Sequence, residues 1–463
     1  MTTGLNNLVL LTDSYKVGHF RQYPKDTKTV YSYFESRGGM FPETVFFGLQ
    51  YYLDRYLSMT VTQEMIEEAA SYYNPHFGNE ALFNRAGWEH IVKVHGGRLP
   101  VRIKAVPEGT VVPNSNVLMT IENTDPKCFW LTNYLETLLV QVWYGTTVAT
   151  HSREMKKLIA RFLSKTGDPS LIDFKLHDFG FRGVSSVESA AVGGCAHLVN
   201  FMGTDTVAAL VMAREHYGCD IAGFSIPASE HSTITAYEQH GEVDAFANMI
   251  EQYGDNPLYA CVSDSYDIYR ACRDLWGTQL RDKVLSAKGT LVIRPDSGIP
   301  HEVVVKVLQI LGEKFGYSLN DKGFKVLNPK VRVIQGDGID YEETRKILTE
   351  MERDGWSADN VAFGMGGGLL QKLHRDTQKF AFKCSQAVIG KRAVDVFKCP
   401  VTDNCKTSKA GRLSLVPTKD LRGNPTVETV KGSEPDDLLV TVYENGEILK
   451  RWTLSEIRER AAI

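Results

Sequence analysis

The decapeptide LVIRPDSGIP, Leu291 to Pro300, carries an apolar run directly into Arg294, Asp296, Ser297 and Gly298. An arginine and a carboxylate two residues apart can hold an anion and a hydroxylated group side by side. The same phrasing, apolar residues and then a polar loop, recurs at Asp178 and Arg182, Asp205, His231, Asp264, Asp337 and the glycines of Gly364-Met365-Gly366-Gly367-Gly368. One histidine, two arginines and several aspartates around one mouth suit a polyhydroxylated, phosphorylated ligand.

Each motif has a plainer alternative. FGMGGGLLQKL places glycines between a strand and a helix start, where bare N–H groups hold phosphate, though tight turns use glycine too. It lacks the lysine of a P-loop and the spacing of GxGxxG, so neither a Walker-type ATPase nor a dinucleotide site is supported. VIQGDGID offers a second such turn, in which Asp337 would accept from sugar hydroxyls unless the loop is merely a connection. His231, in PASEHSTITA, has no HExxH partner and no cysteine cluster, which argues against a metal ligand. A capped structural histidine and a nucleophile or acid–base group both remain open, and Asp264 would orient the second ring nitrogen in the latter case. From Lys372 to Arg412 there are ten Lys and Arg against three Asp, interleaved with core-like FAFKCS and VDVFK. That interleaving favours a discrete anion pocket over a solvated face or a nucleic-acid footprint.

These residues need a frame. The chain has 463 residues, 43% of them apolar, with a formal charge of −4, enough to fill more than one core and without a global pull toward nucleic acid or anionic membrane. Eight cysteines, at 128, 195, 219, 261, 272, 384, 399 and 405, show no CxxC pair and no metal-like spacing, and are read as buried thiols of a reducing compartment. The N-terminal MTTGLNNLVLLTDSYK has no basic n-region, and no apolar run is long enough to span a bilayer, so cytoplasm is expected. From about residue 170 a short apolar strand, a Gly/Asp/Ser loop and an amphipathic helix follow one another seven times, through IDFKLHDFGFRGVSS, GTDTVAALVMAREHYG, AGFSIPASEHSTITAYEQ, LYACVSDSYDIYRACRDLW, TLVIRPDSGIPHEVVVKVLQILG, VRVIQGDGIDYEETRKILTEM and VAFGMGGGLLQKL. Val304, Val307, Leu308 and Leu311 share a helical face, and Asp340 with Glu343 reads as a capping box. Such phrases imply an α/β fold with an irregular parallel β/α barrel, whose strand-end loops share one rim. That rim explains why a buried strand ends in a charged pair. The flanks read as β-rich: VRIKAVPEGTVVPNSNVLMTIEN has strands and turns, helices are expected around Phe129 to Trp143 and Val148 to Leu163, and TVYENGEILKRW is a hairpin with an Asn445-Gly446 turn before a helix capped by Thr453 and Glu456. A discontinuous α+β domain of 1–166 plus 373–463 is therefore expected around a barrel domain of 167–372.

Together the motifs resemble the nicotinamide phosphoribosyltransferases along nearly the whole chain. TDSYK (12 to 16), KLHDFGFRGVSS (175 to 186), FMGTDTVA (201 to 208), SIPASEHSTITA (225 to 236), VSDSYDIY (262 to 269), IRPDSG (293 to 298), VIQGDG (333 to 338) and GGGLLQK (366 to 372) carry the likeness. The resemblance implies a type II phosphoribosyltransferase that joins nicotinamide to C1 of phosphoribosyl pyrophosphate in NAD salvage, as a homodimer with active sites at the subunit interface. By the same resemblance Phe179 stacks on the pyridine ring, Tyr15 of the second subunit covers its other face, and Asp205 receives the carboxamide NH2. Arg294 binds near the amide and pyrophosphate, Asp296 meets the ribose, and Gly336, Asp337 and Gly367 hold ribose and 5′-phosphate. Arg37, Arg182, Arg375, Lys383 and Lys398 take the phosphates. His231 matches the family's autophosphorylated histidine, with ATP as coupled co-substrate and Mg2+ as cofactor whose ligands the sequence does not identify. Alternatives are a nicotinate phosphoribosyltransferase and a catalytically silent ligand-binding relative. Neither nucleic acid nor membrane is an expected partner.

Overall fold

The computed structural model describes residues 4–402 and 407–463, so Cys405 and Lys406 lie outside the described residues. The chain forms two compact units: Met1–Thr150 with Glu215–Cys219 and His374–Ala462, and His151–Arg214 with Asp220–Leu373 and Ile463.

The second unit holds a six-stranded sheet in the order Gly203–Thr204, Leu176–Asp178, Val361–Met365, Val331–Gln335, Thr290–Arg294, Leu258–Val262. Every pairing is parallel, as repeated strand–helix units require. One face of the central strands is apolar and buried: Leu291, Ile293, Val331, Val333 and Phe363 are all buried. Helix Pro300–Phe315 turns Val304, Val307, Leu308 and Leu311 inward, all fully buried, and packs on helix Tyr341–Arg353. The expected capping box at that second helix is only half present. Asp340 accepts from the Glu343 N–H, but the Glu343 carboxylate turns to His301, meeting its Nδ1 at 2.6 Å and accepting from its backbone N–H at 3.3 Å.

One expected unit departs from the pattern. AGFSIPASEHSTITAYEQ supplies no strand; Phe224 bridges to Gly203 at one edge of the sheet and Ala228 to Ala260 at the other. Pro227 lies between the two bridges and has no N–H to continue a ladder. The chain then enters the short helix His231–Thr235. At the opposite end of the strands Lys175 is buried and donates to the carbonyls of Ala358, Asp359 and Val361 at 3.1, 3.0 and 2.9 Å. Those bonds tie the entry of one central strand to the loop before its neighbour.

The first unit is built on a seven-stranded antiparallel sheet, ordered Arg392–Asp395, Phe380–Ile389, Thr27–Ser36, Val117–Asn123, Val101–Ala105, Val440–Glu444, Glu447–Ile448. Strands from both chain ends thus share one sheet. Asn445 and Gly446 close the last hairpin with φ of 52° and 89°, and Thr453 and Glu456 form the full capping box of helix Leu454–Ala461. The helix expected at Phe129 to Trp143 is two short pieces, Leu131–Tyr134 and Glu136–Leu139, while the next is one long helix, Val142–Thr166. Of the described cysteines, Cys128, Cys195, Cys261 and Cys272 are buried as expected, but Cys219 and Cys384 are half-buried and Cys399 is exposed. No disulfide links the described cysteines.

Candidate active site

Strand alternation builds the centre of the site. In Leu176–Asp178 and the residue after it, side chains two apart share a face, so His177 and Phe179 look one way while Leu176 and Asp178 are buried on the other. Asp178 accepts from the Gly180 N–H at 2.7 Å and shapes the turn out of the strand. Phe179 donates its N–H to Met365 O at 3.0 Å, and its ring lies against two glycines. A Cβ on Gly364 would stand 2.0 Å from Phe179 Cε2, so that position excludes a side chain to seat the ring, and one on Gly336 would be a tight 3.0 Å away. Gly364, read from sequence as part of a phosphate-holding turn, therefore serves an aromatic ring. Gly367 differs, since a Cβ there would meet nothing within 4 Å.

Phe179, Asp205 and Arg294 line two cavities at once. One, of about 630 Å³, also takes in Phe181, Arg182 and Thr206. The other, of about 400 Å³, continues over His177, Ser225, Ala260, Val292 and Ile334. Its floor is apolar, with Ala260, Val292 and Ile334 buried beneath Phe179, Ile226 and Ala362. Asp205 accepts from His177 Nε2 at 3.0 Å and from the Ser225 hydroxyl. Burial works to raise its carboxyl, but those bonds and the Arg294 charge hold it below the usual range. It is therefore a carboxylate at neutral pH. Arg294 stands at its strand end with a buried Nε that has no hydrogen-bond partner among the described residues.

A second group continues from Arg294. Its guanidinium is 3.9 Å from Asp296 Oδ2, which is in turn 3.9 Å from His231 Nδ1. The other imidazole nitrogen, Nε2, meets Asp264 Oδ1 at 3.0 Å, and Asp264 Oδ2 accepts from Ser297 at 2.6 Å. Asp296 is lifted above the usual carboxylate range by burial, and the neighbouring Asp264 and Asp337 push the same way while Arg294 and His231 oppose. His231, at the start of its helix, is nearly half exposed.

The remaining expected residues belong to the first unit. There Arg37, Arg375 and Lys398 press on Lys383, whose ammonium is pushed down by burial and then by those three charges, against the pull of Glu136. Arg37 Nε is buried without a partner among the described residues. Tyr15 is 62% exposed in a short turn, its ring edge-on to His19 at 5.1 Å. Sequence reasoning passed over His177, Ser225 and Ser297, the groups that hold Asp205 and Asp264. For His177 a signal existed in its two-residue offset from Phe179; for the two serines none did, because each reaches a carboxylate from a distant loop.

The chain is similar to known proteins along nearly all of its length. Residues 174–447 match the nicotinate phosphoribosyltransferase (NAPRTase) family, and residues 7–103 match the N-terminal domain of nicotinamide phosphoribosyltransferase. The chain is 53% identical to the nicotinamide phosphoribosyltransferase of Xanthomonas campestris pv. campestris, over 99% of this chain and 98% of that one. It is 32% identical to the enzyme of the same name from Acinetobacter baylyi, over 97% and 96%. The crystal structure of nicotinate-nucleotide pyrophosphorylase from Pyrococcus furiosus superposes with a TM-score of 0.60 over 100% of this chain and 96% of that one, at 16% identity, a likeness of fold. With a matching family model over most of its length and relatives alike from end to end, the chain belongs to the NAPRTase family, on its nicotinamide phosphoribosyltransferase branch.

Proposed function

We propose that the protein transfers the 5-phosphoribosyl group from phosphoribosyl pyrophosphate to nicotinamide, giving nicotinamide mononucleotide and pyrophosphate in NAD salvage. One observation carries this reading: an ionised Asp205, an arginine whose buried Nε has no partner among the described residues and a glycine-seated Phe179 ring meet where two cavities join. A flat heteroaromatic amide suits that junction, stacked on Phe179 with its NH2 toward Asp205.

The pyridine nitrogen attacks C1 of the ribose with its own lone pair as the C1–O bond breaks and pyrophosphate leaves with the bonding electrons. No general base is needed. The barrier is lowered by positioning and by charge placed against an oxocarbenium-like ring and a polyanionic leaving group. Arg294 and Arg182 face that anion, Asp296 faces the ribose, and Gly336, Asp337 and Gly367 line the sugar and 5′-phosphate. The cationic group Arg37, Arg375, Lys383 and Lys398 forms the further phosphate-holding set. Asp264 and Asp337 stand close enough to Asp296 to help lift its carboxyl, and such an oxygen-rich, charge-excess set fits Mg2+. When bound, Mg2+ would neutralise pyrophosphate charge.

In the finer reading, Phe224 and Ala228 close the parallel sheet into an irregular barrel, and the domains run 1–166 plus 373–463 and 167–372. The protein acts in the cytoplasm as a homodimer in which the second subunit's Tyr15 covers the ring. His231 donates Nε2–H to Asp264, leaving the Nδ1 lone pair to take the γ-phosphoryl group of ATP with release of ADP; water later frees phosphate. The reading is tested by incubating the protein with phosphoribosyl pyrophosphate, Mg2+ and either nicotinamide or nicotinate, with and without ATP. Nicotinamide mononucleotide is expected as the main product, stimulated by ATP. Equal use of both bases would instead favour a nicotinate-tolerant enzyme, and absence of any mononucleotide a silent relative. His231→Ala should keep weakened basal synthesis and lose the ATP stimulation; stimulation of wild-type size in that variant removes the phosphohistidine.

A further inference from the structure

In the first unit, remote from the chemistry above in sequence and built from residues it does not use, two histidines, an aspartate and a cysteine converge. Helix Arg85–His95 starts on Asn84, whose side chain accepts from the Gly87 N–H, and turns Trp88 and Ile91 into the core. His90 lies in its middle and His95 is its last residue, next to Gly96 at φ 60°, where the chain leaves the helix. His90 and His95 are five positions apart, more than one helical turn, yet both rings reach one point. The reason is Asp125, in the loop after strand Val117–Asn123.

Three bonds hold Asp125 in place. Asn123 Nδ2 donates to its carbonyl at 2.8 Å, its Oδ1 caps the turn Pro126–Cys128 by accepting from the Lys127 N–H at 2.8 Å, and its carbonyl accepts the Cys128 N–H at 2.9 Å. Oδ2 is left to face both imidazoles, with His90 Nε2 and His95 Nε2 each at 2.7 Å. The same turn brings up Cys128, wholly buried. One nitrogen from each ring, a carboxylate oxygen and the Cys128 sulfur all lie within 4.8 Å of one another.

We infer that His90, His95, Asp125 and Cys128 form a structural metal site that takes zinc. Two neutral imidazoles, a carboxylate and a thiolate give a mixed N, O and S set of four, which suits a tetrahedral, borderline-soft ion and is a poor set for magnesium or calcium. Hydrogen bonding alone accounts for the two rings on Asp125; it makes no use of the sulfur that the turn delivers. Bond lengths near 2.0–2.3 Å in a tetrahedron separate the ligand atoms by about 3.3–3.7 Å. The nitrogens therefore move apart from Oδ2 by roughly half an ångström on binding, which rotation of the two imidazole side chains and the three-residue turn allow. The two rings are 18% and 25% exposed, so an ion has a way in, while the sulfur closes the inner side. Closed four-ligand sites of this kind act on stability. Here the ion would staple the end of a helix to the loop leaving a central strand.

The full-length protein, stripped with a chelator and dialysed, is titrated with Co2+ and then with Zn2+. One equivalent of Co2+ is expected, with a sulfur-to-cobalt charge-transfer band in the near ultraviolet that Zn2+ abolishes. The stripped wild type should also melt lower than the zinc-reloaded wild type, a comparison that needs no substitution to fold. Cys128→Ser removes the charge-transfer band, and His90→Gln with His95→Gln weakens zinc binding by roughly 100-fold or more and removes the thermal gain. Absence of a bound equivalent, a band that survives Cys128→Ser, or the same thermal gain in the double-histidine variant would each overturn the site.

Discussion

At the residue scale, the proposed preference for nicotinamide rests on Asp205. Its carboxylate stays ionised in a cavity wall, where it would accept from an amide NH2 and repel the carboxylate of nicotinate. Asp205→Ser should lower kcat/KM for nicotinamide by roughly 100-fold and raise turnover of nicotinate, read by product chromatography with each base. A variant that keeps its preference would show that discrimination resides elsewhere. Gly364 gives a sharper geometric test. An alanine methyl there would occupy the place of Phe179 Cε2, so Gly364→Ala should displace the ring and raise KM for nicotinamide about tenfold or more while the fold persists. The sequence displayed Phe179 and Gly364 without displaying their contact, because a glycine that makes room for a ring and a glycine that holds phosphate are the same letter.

At the element scale, the strand ends behave as their sequences imply, since a largely buried apolar run must release its polar residues at the rim. The segment Phe224 to Ala228 does not, because Pro227 interrupts any ladder and leaves two isolated bridges in place of a strand. In the first unit, Glu108 binds the start of helix Leu49–Tyr52, accepting from the Gln50 N–H at 2.6 Å and the Gly48 N–H at 3.1 Å. Burial pushes its carboxyl up to about 7, against the pull of those N–H groups. A carboxyl raised on folding stabilises fully below its unfolded value near 4.5, and that contribution is lost as pH rises through about 7. Between pH 4.5 and 8 wild type should accordingly lose about 3 kcal/mol relative to Glu108→Gln, whose amide stays uncharged, seen as divergence of their urea midpoints as pH rises. A difference that is flat over that range would show that Glu108 keeps its charge state on folding.

At the scale of the whole molecule, the proposed dimer makes a prediction that no single chain can satisfy. If Tyr15 serves the second subunit's Phe179, then Tyr15→Ala and Phe179→Ala, each nearly inactive, should recover about a quarter of wild-type activity when refolded together, because half of the dimers would own one intact site. No recovery would place Tyr15 outside the partner's site. What the sequence by itself determined is what local order can encode: the repeating strand–loop–helix phrases, the parallel sheet they require, the inward face of helix Pro300–Phe315, the tight Asn445-Gly446 turn and the rim residues that follow each strand. Only the tertiary structure decided which distant residues share a point: Ser225 on Asp205, Ser297 on Asp264, two glycines beneath Phe179, and His90 and His95 on Asp125 beside Cys128. The physical reason is range. Periodicity and turn chemistry act over a few residues and leave a pattern in the string, whereas a hydrogen bond or a ligand contact between segments tens of residues apart depends on where two backbones come to rest.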